Sequence, residues 1–404
     1  MSTYKWQFAP RFRRNAFGWR SDTPIQRIKE AIAEIRLVAR KQPVLAAEGA
    51  IVLLEKLSPA LMNVDSSSGA LGSMVNRAIE TLVPILTQAD VDTATRQRWL
   101  DRLWEAVEQD EMPYMEVLAD YWGELCVRPE VASAWADQFL PSVQRMWSPS
   151  EPGHGYFKGT DACLSALYAA GRHEELLTLL DLARYKHWHN RRWGVKALVA
   201  MGRNTQAIAY AQDCQGLNAP EGLIAQACEE ILLACGQADE AYQRYAIAAN
   251  RNTTNLATFR ALAKKYPHKN RGDILRDLVQ SEPGAEGKWF AAAKDAGLYD
   301  VAIELARRSP TDPRTLIRAA RDFALKRPEF AMAAGLHALA WMAKGHGYEL
   351  TGLDVHAAYD GVMLAARNLE IDDLRAKAQV RQMIDAQQAG ENFVQRTLKT
   401  QLQV

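Results

Sequence analysis

The stretch Leu198-Val199-Ala200-Met201-Gly202-Arg203-Asn204-Thr205-Gln206-Ala207-Ile208 decides the fold. An apolar-rich run ends at a glycine, polar residues follow, and a small-apolar pair begins five residues on. The pattern recurs. Gly171 is followed by Leu176-Leu177, Gly236 by Ala241-Tyr242, and Gly297 by Ala302-Ile303. The spacings are 31, 34 and 61 residues, the last about two periods. A period in the thirties describes one helix-turn-helix unit stacked on the next. A left-handed residue just past a helix end lets the chain fold back while the last carbonyls find donors, and glycine takes that conformation without steric cost. A small side chain five residues later suits a close helix crossing.

Outward from these pairs the sequence reads as helix after helix, with no convincing period-2 alternation. Asp22-Thr23-Pro24 opens a helix striped by Ile25, Ile28, Ile32, Ile35, Leu37 and Val38. Pro43 ends it, and the next helix runs to Leu57, where Ser58-Pro59 breaks the chain. Ser66 to Gly69 is a loop before a helix from about Ala70 to Thr87. Further helices are expected at roughly 92–109, 112–125 and 129–146, with Asp92 as a cap. The stretch 147–155, rich in Pro, Gly and Ser, marks the expected internal boundary. Beyond it, a unit around Tyr266 to Leu275 fills the double gap, Pro328 opens the second helix of another pair, and two more helices run from Asp354 to about Gln387. The expected organisation is an arm at 1–22, a helical half at 23–146, the glycine-marked repeats at 156–345, and capping helices with a frayed polar tail at 346–404.

Composition narrows the function classes. Apolar residues at 48% and charged residues at 24% are an ordinary globular balance, and a net charge of +1 gives no global pull toward nucleic acid or membrane. No apolar run reaches the eighteen residues or so that a span needs. Five cysteines (Cys126, Cys163, Cys214, Cys228, Cys235) without a C-x-x-C pair suit reduced thiols, hence a cytoplasmic setting. Cys228 and Cys235, seven apart on one helix face, are expected to be small core hydrophobes.

The half-motifs running from Gly171, Gly202, Gly236 and Gly297 to Leu176, Ala207, Ala241 and Ala302 resemble a degenerate tetratricopeptide-type array over about 162–320. The Trp-x-x-Leu-Gly pattern of the first helix is missing, and the closing proline is approximate at Pro220 and Pro313. HEAT-like pairs are a fair description of 24–146. The resemblance implies an all-α fold, an α-solenoid of stacked antiparallel helix pairs, with a groove that holds a protein or peptide partner.

No nucleotide-binding, zinc-protease or serine-hydrolase motif occurs, so no catalytic residue, cofactor or metal ligand is assigned. His187-Trp188-His189 lacks a third ligand at helical spacing. Gly153-His-Gly155 and Gly345-His-Gly347 read as turns. Three basic and aromatic segments remain as candidate partner surfaces. The N-terminal one holds Arg13, Arg14 and Trp19. The second holds Arg184, Lys186, Trp188, Arg191 and Arg192 with no acid between 184 and 196. The third, 251–271, holds Lys264, Lys265, Lys269 and Arg271. Arginine beside stacking aromatics fits an acidic peptide, a nucleic-acid backbone, or a plain solvated face. Against these stands an acidic region, 101–137, with ten carboxylates and two arginines. Trp6 and Trp19, outside the repeats, are expected either to meet a partner or to cap the first helices. The function expected is a non-catalytic adaptor or scaffold, with nucleic-acid binding as the alternative.

Overall fold

The computed structural model describes residues 4–148, 156–214, 219–386 and 392–402. Every regular element among them is helical. Two compact units emerge, Met1–Pro220 and Glu221–Val404. The first holds α1 (Asp22–Ala39), α2 (Pro43–Leu61), α3 (Ala70–Thr87), α4 (Thr93–Glu108), α5 (Glu116–Asp120), α6 (Trp122–Cys126), α7 (Pro129–Trp147), α8 (Thr160–Ala169), α9 (His173–Asp181), α10 (Trp188–Ala200) and α11 (Asn204–Gln212). The second holds α12 (Glu221–Ala234), α13 (Ala238–Ala249), α14 (Asn255–Lys265), α15 (Arg271–Gln280), α16 (Phe290–Asp295), α17 (Tyr299–Arg308), α18 (Pro313–Phe323), α19 (Pro328–Ala343), α20 (Gly352–Asn368), α21 (Asp373–Asp385), α22 (Phe393–Thr397) and α23 (Lys399–Leu402). Residues 149–155 of the expected boundary, with the Gly153 turn, lie outside the described residues. The helices flanking them, α7 and α8, pack on one another inside the first unit.

The glycine turns are the repeated device. Gly171, Gly202, Gly236 and Gly297 have φ of 72°, 75°, 75° and 78°. Each donates its own N–H three residues back, and the next residue reaches five back: Arg203 N bonds Leu198 O at 2.8 Å and Gly202 N bonds Val199 O at 2.9 Å. That is the paired closure of a Schellman cap. Leu176, Ala207, Ala241 and Ala302, five residues on, are fully buried. Gly345 at φ 80° makes the same closure at the end of α19. At the end of α20 the role falls to Glu370, at φ 58°, with Ile371 N on Ala366 O at 2.9 Å. A carboxylate side chain in that conformation carries strain that glycine would not.

Neighbouring helices then cover one another's apolar faces. In the second unit α12 packs on α13, α18 on α19 and α19 on α20. Glu229 of α12 is fully buried there. It accepts from Tyr266 Oη at 2.6 Å, Asn250 Nδ2 at 2.7 Å and Lys265 Nζ at 2.5 Å. The arm of the first unit is folded down rather than free. Trp6, Phe8, Phe12 and Phe17 are buried in a run of ring contacts, and Glu34 of α1 accepts the N–H groups of Gln7 and Phe8 at 2.9 and 3.1 Å. Trp6 therefore caps the first helices, while Trp19 stays 72% exposed.

Four details depart from the sequence reading. Helix α2 continues through Ser58-Pro59 to Leu61, because Ala60 and Leu61 are fully buried and hold the last turn. The helix expected over 112–125 is instead α5 and α6, split at Tyr121. There the Ser165 hydroxyl of α8 donates to Asp120 O at 2.9 Å and accepts from Gly123 N at 3.0 Å, occupying groups that would continue the helix. Cys228 is buried as expected, but Cys235 is exposed beyond the end of α12. The C-terminal segment carries α22 and α23, with Val394 and Leu398 fully buried, where a frayed tail was expected.

Two substitutions read out the turn. A Cβ at position 202 meets nothing within 4 Å, so the cost of Gly202→Val is backbone strain alone, about 1–3 kcal/mol in denaturant unfolding. Glu370→Gly acts in the opposite direction and raises stability by roughly 0.5–1 kcal/mol.

Candidate functional site

Three helix ends converge in the first unit. Asp120 ends α5, Asp161 lies in the first turn of α8, and His189 lies in the first turn of α10. The Ser165 contact positions Asp120, and Gly123 makes it feasible: a Cβ there would lie 2.3 Å from Ser165 O. Arg192, one turn beyond His189, donates to Asp120 Oδ1. His189 Nε2 lies 2.9 Å from Asp161 Oδ1. Each of Asp120, Asp161 and His189 offers one ligand atom, and these atoms lie within 4.8 Å of one another.

They form one corner of a cavity of about 820 Å³. Trp147, Tyr156 and Phe157 supply aromatic wall, and Asp110, Glu111 and Glu116 add carboxylates. Tyr156 Oη donates to Glu116 Oε1 at 2.6 Å. Lys158 keeps its charge but aims its Nζ at the carbonyls of Val107, Glu108 and Asp110 at the end of α4. Asp110 is buried, accepts from Ser58 Oγ and from Met115 N at 2.7 Å, and burial pushes its carboxyl above the usual range. Burial also raises Asp120, with Arg192 pulling the other way. The hydrogen bond to Asp161 raises the His189 imidazole, against desolvation. No cysteine or serine lines this cavity among the described residues.

The structure brings the basic residues singled out in the sequence mostly onto partners within their own unit. Arg191 is buried, stacks 3.5 Å from the Tyr210 ring and donates to Tyr210 O at 3.0 Å. Lys186 pairs with Asp213, and Arg14 lies 3.7 Å from Glu111. Arg184 lies over the exposed Tyr185 ring, and Trp188 is half-buried. In the second unit Lys265 pairs with Glu229, Lys269 with Asp239 at 2.6 Å, and Arg271 with Asp295 at 2.7 Å. Arg13 and Lys264 are exposed. Sequence reasoning missed the corner itself. His189 was visible, but its neighbours come from two other helices, where no spacing rule operates. The available signal was the acidic region 101–137, which supplies Asp110, Glu111, Glu116 and Asp120.

Two substitutions test this geometry. Gly123→Ala forces α6 off α8 and costs about 1–3 kcal/mol by overpacking, measured by chemical unfolding. In the second unit, Arg260 with Arg271 holds the Asp295 carboxyl below its ordinary range. Its stabilisation is therefore complete above that range and is lost as pH falls below it, through the lowered value of the folded state. Asp295→Asn should cost ~1 kcal/mol at pH 7, a difference that vanishes in acid.

No family model and no curated protein matches the chain. Among solved structures it is similar to a chain in the crystal structure of the APC/C hetero-tetramer Cut9–Hcn1, at 11% identity, covering 93% of this chain and 90% of that one, with a TM-score of 0.21. A likeness at that score bears on neither fold nor function. No described helix is long and apolar enough to cross a membrane. Neighbouring helices packed in pairs, several of them closed on a left-handed residue, make the described residues all-α.

Proposed function

We propose that this protein is a non-catalytic interaction scaffold whose first unit takes a segment of a protein partner into the cavity between α5, α8 and α10. The observation that carries this reading is the cavity's make-up. Aromatic wall from Trp147, Tyr156 and Phe157 lies beside the Glu111 and Glu116 carboxylates, while Lys158 aims its Nζ at backbone carbonyls. Aromatic faces and carboxylates together favour a lysine or arginine side chain flanked by apolar residues. The basic segments are a poorer surface for an anionic partner, since Arg191, Arg192, Lys265, Lys269 and Arg271 already face carboxylates or rings of the chain.

A photo-crosslinking residue placed at Tyr156, which is 72% exposed, tests the reading. It should trap a protein in cells, and Glu116→Lys should cut that yield at least fivefold without changing the helical circular dichroism. Equal crosslinking with the charge reversed, or none at all from position 156, overturns it.

A further inference from the structure

The corner of the cavity has a second use that does not depend on a protein partner. We propose that Asp120, Asp161 and His189 bind a divalent first-row transition metal ion of the zinc class. Two carboxylate oxygens and an imidazole nitrogen from three separate helices are a donor set that such ions accept, with the remaining position open to water or a partner's group. The atoms already lie within 4.8 Å of one another. Ligand bonds of about 2.0–2.2 Å require only modest side-chain rotation from there.

Two further observations favour an ion over a self-contained polar cluster. Asp161 Oδ1 is shut off from water and faces the His189 imidazole, whose Nε2 is 2.9 Å away. The cluster also faces open space, the 820 Å³ cavity, instead of packed side chains. Arg192 balances one of the two carboxylates. It holds Asp120 Oδ1 and leaves the other oxygen of that carboxylate for the ion, the orienting role that outer-shell partners play around metal ligands. With an ion seated, Glu111 and Glu116 still give the cavity its negative rim.

Full-length protein stripped with a chelator should be titrated with Zn²⁺ by calorimetry and with Co²⁺ by visible absorption. The expected result is one ion per chain, with a cobalt spectrum of nitrogen and oxygen ligation lacking a thiolate band. His189→Ala and the isosteric Asp161→Asn should each weaken zinc at least tenfold, while His187→Ala changes it by less than twofold. Should Asp161→Asn fail to fold, His189→Ala carries the test, because that imidazole is 57% exposed. The proposal falls if no saturable zinc binding occurs, if calcium or magnesium binds and zinc does not, if both variants bind like the parent, or if a thiolate band places the ion on cysteine. No partner is needed, and Glu116→Lys should leave zinc binding in place, so this result stands or falls apart from the scaffold reading.

Discussion

The chain has to reverse direction within about three residues while the last carbonyls of a helix keep hydrogen-bond donors. Everything else in each unit depends on meeting that constraint. A buried helix end without partners loses about as much as several ordinary hydrogen bonds contribute. The left-handed residue solves it by turning two N–H groups back onto the third- and second-last carbonyls. Once the turn is fixed, the second helix leaves at a defined angle. Its fourth residue, five past the glycine, then falls at the crossing, where Ala207, Ala241 and Ala302 leave room for close approach. Turn and crossing are one device read at two positions.

This is why so much of the architecture was legible. Glycine is nearly indispensable where φ is strongly positive, so its recurrence is a direct print of backbone geometry. Where a different residue bears the same strain, the print disappears: Glu370 closes α20 as Gly345 closes α19, yet nothing in the sequence marks it. Local breaks misled for a related reason. Pro59 looks like a terminator, but burial of the two residues after it outweighs the lost bond near the helix end. The opposite error occurs at Tyr121, where a side chain 44 residues downstream cuts a helix that its own sequence would continue.

The candidate site was less legible because its chemistry is assembled across helices. A pair of histidines two apart shows in any sequence. That Asp120 and Asp161 arrive beside the second of them depends on Ser165 and on the absence of a side chain at Gly123. Charge was misleading in another way. Segments 184–196 and 251–271 look like exposed cation tracts, but their acids lie in neighbouring helices, as Asp213, Glu229 and Asp295 show. A run free of carboxylates in sequence is not free of them in space.

The carboxylate of Glu229 ties three points of the second unit together. Repeat arrays with only nearest-neighbour contacts can peel open one pair at a time. Here, separating α12 from α14 would withdraw the Lys265 and Tyr266 donors together from a carboxylate that the closed unit buries completely, leaving it only Asn250 at the end of α13. That penalty makes partial opening between these pairs a poor resting place. The unit is thereby biased toward all-or-none loosening in this region, and its ends are the places where stepwise fraying begins.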